Sequence, residues 1–585
     1  MRMESLRKFA SRNLLTLLFI GVLIVTLTFV FLIRPGTIVV PEDYPTIQEA
    51  IKAATPGETI FVKEGIYYEN LIIDKSVRLI GEVANKTIID GQRKGVVIKV
   101  TANGVFIGNL TIRNSGLAAA IDAGIKLDSV ENCIISNNII LNNSNGVLIS
   151  NSFNNTIIKN KITANRNAGI CLQKSDRNSI VDNNIEENEV GLSFSSSKNN
   201  ILRKNIMIHN KYNFGLWGET PSDFVNDIDV SNTVNGMPIY YIMNQNIFVV
   251  NSETFPIIGY LALINCSGVV VQGLNLNNNV QGILIAFSQN ITLKSVSLRN
   301  NFHGISLIHS FNNIIAESEI EENAHGVWLD SSSNNTISGN NVEANTEDGL
   351  SLWYSSYNKI LRNNIEATGG SYSGAGVYLA SSSSYNSIIE NNIQSNFYGI
   401  EVWSSNNTIQ KNNIKANKRD GIYLHAYAEG TIIRGNNITD NFDGTYVESS
   451  YNIFSGNIIA NNFVGIYLYF TSDNIITENN ITANRAGILF EYAYNNVIYH
   501  NNFIANIPEQ VNTSPAQSNT WDNGYPSGGN YWSDYSGVDE YSGPYQNETG
   551  SDGIGDTPYI IDEKNCDRYP LITPFRSEID TSSNI

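Results

Sequence analysis

Gly326-Val327-Trp328-Leu329-Asp330-Ser331-Ser332-Ser333-Asn334-Asn335-Thr336-Ile337-Ser338-Gly339-Asn340-Asn341-Val342-Glu343-Ala344-Asn345, read on to the next landmark at Gly349, decides the fold of this chain. Val327 and Leu329 alternate with Trp328 and Asp330, a Ser-rich corner follows, and two further short apolar segments end in Asn. Period-2 alternation and β-branched residues bounded by Asn, Gly and Ser read as strand, turn, strand, turn, strand. The Gly-apolar landmark recurs every 22 or 23 residues at Gly124, Gly146, Gly169 and Gly191, then at Gly282, Gly304, Gly326 and Gly349. It continues at Gly376, Gly399, Gly421, Gly465 and Gly487. A constant period means a solenoid whose repeats bury their apolar edges against their neighbours; helical repeats would need about 33 residues and a 3.6-residue rhythm. The chain is therefore expected to be all-β, a right-handed parallel β-helix with three strands per coil of about 22 residues.

Asparagines explain how such a coil turns. Asn155, Asn178 and Asn200 lie one period apart, as do Asn313, Asn335 and Asn358, with Asn407, Asn452, Asn474 and Asn496 in the same slot. Asn accepts left-handed backbone and bonds nearby main chain, and stacked amides can bond one another along an axis. The repeat predicts an internal Asn ladder.

Both ends carry closing signals. Thr46-Ile47-Gln48-Glu49 has the form of a capping box, and Ile47, Ala50, Ile51 and Ala54 line one face of a short helix stopped by Pro56-Gly57. This helix is expected to plug the first coil, whose open sheet edge needs cover. Ahead of it, Arg2, Arg7, Lys8 and Arg12 precede an uncharged run from Leu14 to Ile33. About 20 apolar residues can span a bilayer, and the flanking charge holds the N-terminus inside. The expectation is one transmembrane signal-anchor helix, single-pass at the cell membrane, with the β-helix outside the cytoplasm. The expected divisions are 1–36 (stub and anchor), 37–216 (first β-helix block), 217–281 (irregular linking coils), 282–506 (second block) and 507–585 (a tail rich in aromatic, Asp and Gly residues).

The 585 residues carry a net charge of −18 with only 16% charged residues. An acidic rod without basic patches argues against nucleic acid as partner. Cys133, Cys171, Cys266 and Cys566 show neither metal-type spacing nor a disulfide framework.

Several segments resemble a known group. Tyr44-Pro45-Thr46-Ile47-Gln48-Glu49-Ala50-Ile51, Gly65-Ile66-Tyr67-Tyr68-Glu69-Asn70 and Leu79-Ile80-Gly81 look like the start of NosD-type β-helix proteins. Ser231-Asn232-Thr233-Val234-Asn235-Gly236-Met237-Pro238 resembles the break between repeat blocks in archaeal cell-surface members. Gly529-Asn530-Tyr531-Trp532-Ser533-Asp534-Tyr535, with Gly553-Ile554-Gly555-Asp556-Thr557-Pro558-Tyr559 and Tyr569-Pro570-Leu571, is the most specific match. The resemblance implies the β-helix fold. It also implies a link to copper-site assembly, or to the carbohydrate-binding and sugar-hydrolysis modules related to the family. It carries over no catalytic residue set.

Stacking turns positions into columns. Two places after each Gly lie Trp328, Tyr378, Glu401, Tyr423, Tyr446 and Tyr467; four places after it lie Asp330, Trp353, Trp403, His425, Glu448, Tyr469 and Glu491. Aromatics interleaved with carboxylates suit an extended glycan, while cross-strand support of exposed strands is the plainer explanation. The ligand-binding candidates are Trp328, Trp353, Tyr378, Trp403, Tyr423, His425, Tyr446 and Tyr467. Asp420 and Asp443, just before their glycines, and Glu401 and Glu448 are the catalytic candidates, with Asp-Gly also a common turn pair. His303, His325 and His309 could gather on neighbouring coils for copper, although the chain lacks Met-x-x-Met and His-x-His clusters. Asp534, Asp539, Asp552 and Asp556 on Gly-rich turns suit a structural calcium. The main expectation is a membrane-anchored protein that binds, and could process, polysaccharide or glycoprotein glycans. The alternatives are a structural envelope rod without catalysis and a NosD-like copper-delivery accessory.

Overall fold

A computed structural model describes residues 36–370 and 373–576. Every coil repeats one plan. In the coil opened by Gly326, strand His325–Asp330 is followed by Thr336–Ser338 and Asn341–Glu343, and each pairs in parallel with its equivalent one coil on. Right-handed connection is the rule for parallel strands joined in this way. Val327 and Leu329 point inward and are fully buried, as are Ile337 and Val342, so three sheets close around one apolar column.

The landmark glycines owe their identity to close approach. A Cβ at Gly326 would stand 2.4 Å from the carbonyl oxygen of Gly349 on the next coil, and one at Gly349 would stand 2.6 Å from that of Gly376. Neither glycine has the left-handed backbone for which glycine is otherwise chosen.

The left-handed residue sits instead one place before nearly every ladder asparagine. Asn154, Arg177, Asn199, Tyr357 and Tyr385 all have φ between 57° and 60°. The amides behind them point inward and hold the corner: Asn178 Nδ2 donates to Asn200 Oδ1 at 3.2 Å and to the Ser152 carbonyl at 3.0 Å, while its Oδ1 accepts from Asn155 N at 2.9 Å. Three such ladders run along the rod rather than one. The second passes through Asn340, Asn363, Asn391, Asn412, Asn436, Asn457, Asn479, Asn501 and Asn530. The third passes through Asn396, Asn417, Asn441, Asn462, Asn484 and Asn506.

The two blocks meet through a change of phase. In the first block, strands such as Ala123–Asp128 carry the landmark glycine, and that sheet ends at Tyr212–Trp217. The neighbouring sheet ends at Thr233–Val234, which turns back antiparallel on Met237–Met243 and there begins the glycine-bearing sheet of the second block. Gln281 seals the joint, its side chain exchanging hydrogen bonds with the Leu216 main chain at 2.9 and 3.2 Å. The outward residues Tyr260, Ala262, Ile264, Leu284, Ala286 and Ile308 consequently pack into the core of the first block. From Trp328 onward that outward face is free.

Each end is closed. Helix Ile47–Ala53 buries Ile47, Ala50 and Ile51; Thr46 caps it through Glu49 N, and Glu69 accepts from the N–H groups of Ile47 and Gln48 at 2.9 Å. At the other end Trp532 stacks between Phe503 and Tyr559 at 4.3 and 4.2 Å, and its indole N–H donates to the buried Asp567. The expectation of a transmembrane anchor is corrected. Among the described residues no helix is long and apolar enough to cross a membrane, and the segment read as a span, 14–33, lies outside them. The single-pass cell-membrane location and the membrane partner fall with it.

Candidate functional site

The outward face of the glycine-bearing sheet runs from His303 to Glu491 in three columns, one place before, two after and four after each glycine, and is free from Trp328 onward. Register confirms the stacking: Trp328, Ser351, Tyr378, Glu401, Tyr423, Tyr446 and Tyr467 oppose one another in turn. Alternation forces these side chains outward, since their neighbours fill the core.

Much of the aromatic surface on this face is spent on itself. Trp328 stacks on His303 at 4.8 Å and on Trp353 at 5.5 Å. His425 lies between Trp403 at 3.4 Å and Tyr423 at 3.7 Å. Tyr423, Tyr446 and Tyr467 instead meet edge to face, at 5.0 and 4.9 Å. Alternate rings therefore turn a face away from the stack. Burial, with Glu448 adding to it, pushes the phenols of Tyr423 and Tyr446 up, so both remain donors; burial and Glu491 do the same for Tyr467, which hydrogen-bonds Glu491.

Carboxylates thread between the rings. Glu401 Oε1 accepts from Trp403 Nε1 at 3.0 Å and faces His425 Nε2 at 2.8 Å; Glu448 approaches His425 Nδ1 at 3.8 Å. Asp420 and Asp443 occupy the column before the glycine on successive coils and are almost wholly buried. Burial raises the Asp420 carboxyl to about 7, Asp443 adding to it and Arg419 opposing. Burial also raises Asp443 to about 6, again against Arg419. The structure brings this pair together and sets Glu401 and Glu448 on either side of His425. Both aspartates lie below the surface.

Sequence reasoning missed the exposed rings that border this face. Tyr354, Tyr385, Tyr427, Tyr451, Phe470 and Tyr492 stand on the corner that follows this sheet, Tyr427 with 71% of its surface open. Tyr357 stacks on Tyr385 at 5.1 Å, and Phe470 on Tyr492 at 4.5 Å. All of these except Tyr427 are left-handed corner residues, so a column drawn one place beyond the strand would have found several of them.

The copper candidates do not assemble a donor set. His303 and His325 meet edge to face at 5.3 Å, burial holds His303 well below the usual histidine range, and His325 faces Glu347 and Asp348 at 3.3 and 3.6 Å. His309 lies on the far corner against Phe287 at 4.8 Å. The tail acids serve their own turns. Asp539 accepts from Ser551, Asp552 and Gly553, Asp556 from Glu540 and Tyr541, Asp552 from Ile554, and Asp534 from Tyr559 and Gln510. Among the described residues no group of three His, Cys, Asp or Glu could hold a metal ion, and all four cysteines are free. Two surface hollows, of about 900 and 740 Å³, lie on the first block around Asn188 and at the joint around Phe287, away from the aromatic face.

The profile of the family described as periplasmic copper-binding protein (NosD) matches residues 51–236, 228–418 and 398–537, well over half of the chain. No curated protein matches. Among solved structures the chain is similar to the A-module of mannuronan C-5 epimerase AlgE6 from Azotobacter vinelandii, at 14% identity over 73% of this chain and 94% of that one, TM-score 0.23. It is also similar to pectin methylesterase PemA from Erwinia chrysanthemi, at 12% identity over 43% and 81%, TM-score 0.26. Likeness at this level carries no argument about activity.

Proposed function

This chain belongs to the NosD family, and we propose that it is an accessory rod of that family whose second block binds an extended carbohydrate along its outward face. One observation carries the reading. Aromatic and carboxylate side chains occupy most places of the three outward columns, and aromatics the adjoining corner, from Trp328 to Glu491. Rings and acids in register offer apolar contact and acceptors for hydroxyl groups, repeated every coil at about 4.8 Å. The three candidate histidines give the family's copper no group of three side chains to bind among the described residues.

The test is binding of soluble oligosaccharides to the full chain, by calorimetry, with Trp353→Ala, Trp403→Ala and Tyr427→Ala alongside. Loss of about tenfold in affinity for each variant supports the reading. Equal binding by variants and parent, or none by the parent, removes it. Copper titration of the same samples checks the remaining alternative, and uptake abolished by His303→Ala or His325→Ala would restore it.

A further inference from the structure

Two acids on the binding face are left unsatisfied by the protein. Asp420 is 1% exposed and Asp443 4%, and neither oxygen of Asp420, nor Oδ1 of Asp443, has a hydrogen-bond partner. Tyr398 precedes Asp420 in the column, its ring 5.8 Å from that of Tyr423, which meets Tyr446 at 5.0 Å. The groups facing the pair are Arg419 and Glu401, together with the phenols of Tyr398 and Tyr467. The rest of the face has the same bias. Besides the pair, its three columns from His303 to Glu491 hold Asp330, Asp348, Glu401, Glu448 and Glu491, and no lysine or arginine.

Buried carboxyls without donors either keep a proton or meet a cation. A metal ion would find only two side chains here, since no group of three exists among the described residues. A primary ammonium brings three N–H donors and no acceptor, which suits three carboxylate oxygens that no protein donor reaches. Aromatic rings beside it add attraction for its charge.

We propose that the Asp420–Asp443 pair is an ammonium subsite of this face, so that its ligand is a glycan of hexosamine units bearing free amino groups. The inference rests on the reading of the face as a carbohydrate site. A lysine-rich peptide carries the same ammonium, but peptides gain affinity on sheets by adding to a free edge. Every strand from His325 to Val464 on this sheet is paired on both sides, so the face offers side chains alone. An amine already protonated in solution keeps its three protons when it enters, and the proton held by the empty pair leaves to solvent; a neutral amine takes up that proton instead. Binding at pH 6, where the amine is mostly charged, thus releases a proton.

The experiment is calorimetry on the full chain between pH 6 and 7, the range spanned by the raised carboxyls, in two buffers of different ionisation heat. The probes are a glucosamine oligomer, its N-acetylated counterpart of equal length, a galacturonate oligomer and oligolysine. The glucosamine oligomer is expected to bind at least about tenfold more tightly than the acetylated one, with proton release at pH 6, and the galacturonate oligomer most weakly. Asp420→Asn and Asp443→Asn are each expected to erase the preference and the proton release. The comparison of the two glucosamine oligomers uses the unaltered protein, so its outcome does not depend on how the variants fold. Equal affinity for those two oligomers overturns the ammonium subsite and leaves the sugar face standing. Tighter binding of oligolysine overturns the glycan in favour of a basic peptide. Binding of no glycan at all overturns the carbohydrate reading, and the subsite with it.

Discussion

In the first block, the slot two places after the landmark glycine holds Lys126, Leu148, Cys171 and Ser193 on successive coils. In the second block, from the coil of Gly326, it holds Trp328, Ser351, Tyr378, Glu401, Tyr423, Tyr446 and Tyr467. The left-handed corner residues contrast in the same way: Asn151, Lys174 and Ser196 against Tyr354, Phe470 and Tyr492. The inward slots scarcely differ, being Ile, Leu and Val in both, and the amide ladders are shared. What the fold requires is common to the two blocks. What differs lies on positions the fold leaves free, and there chemistry reports use rather than stability.

That contrast can be broken experimentally, beginning where the largest effect is expected and where the blocks should behave alike. Asn412→Ala removes the acceptor for Asn391 and the donor to the Ile388 carbonyl at 2.8 Å, in a wholly interior position. A loss of about 3 kcal/mol is expected in urea unfolding, and Asn183→Ala in the first block should cost the same. A difference of more than about 1 kcal/mol between them would show that the ladders are not equivalent.

The next effect depends on pH. The Asp420 carboxyl is raised from 3.8 to about 7 in the folded protein, so the stability tied to its protonated form is complete below the ordinary carboxylate range and is lost as pH rises through about 7. Asp420→Asn, which has no charge to bury, should therefore be more stable than the parent at pH 8, by about 2–4 kcal/mol, and no more stable at pH 4. Thermal melts at the two pH values check the sign. A gain confined to low pH would contradict the burial that sets this acid apart from the half-buried Asp128 and Asp176 of the first block.

Smaller again is the loss of about tenfold in oligosaccharide affinity, near 1.4 kcal/mol, expected for Trp403→Ala. Smallest is Gln173→Ala, in the equivalent outward column of the first block, for which no change in affinity is expected. If Gln173→Ala weakens binding as much as Trp403→Ala, the assignment of the site to one block is wrong.

Periodicity made the solenoid legible, because an inward residue must be apolar in every coil and a glycine must stand wherever stacked carbonyls leave no room for a Cβ. The capping helix was equally plain from Thr46 and the spacing of Ile47, Ala50 and Ile51. The ladders were half legible. The repeat of Asn155, Asn178 and Asn200 gave away one column, but the left-handed backbone expected at the asparagine belongs to its predecessor. The amide, bonded to backbone on both sides, imposes the corner on whatever residue comes before it, which is why Arg177 and Tyr357 adopt it. Self-stacking of Trp328 with Trp353, and of Trp403 with His425, depends on rotamers that no spacing reveals. The burial of Leu284 and Ile308 against the first block depends on a phase step set by the hairpin at Asn235-Gly236. The apolar run 14–33 shows a different limit: composition alone suggested an anchor that no described helix supplies.

The amide ladders also fix how the molecule would answer to force. Their hydrogen bonds point along the rod, so tension applied at its tips loads one coil-to-coil joint after another, while a sideways push strains many joints together. Rupture under pulling would start at a terminus, and there the plug of Ile47 and Ile51 and the clasp of Trp532 between Phe503 and Tyr559 act as mechanical locks as well as solvent shields.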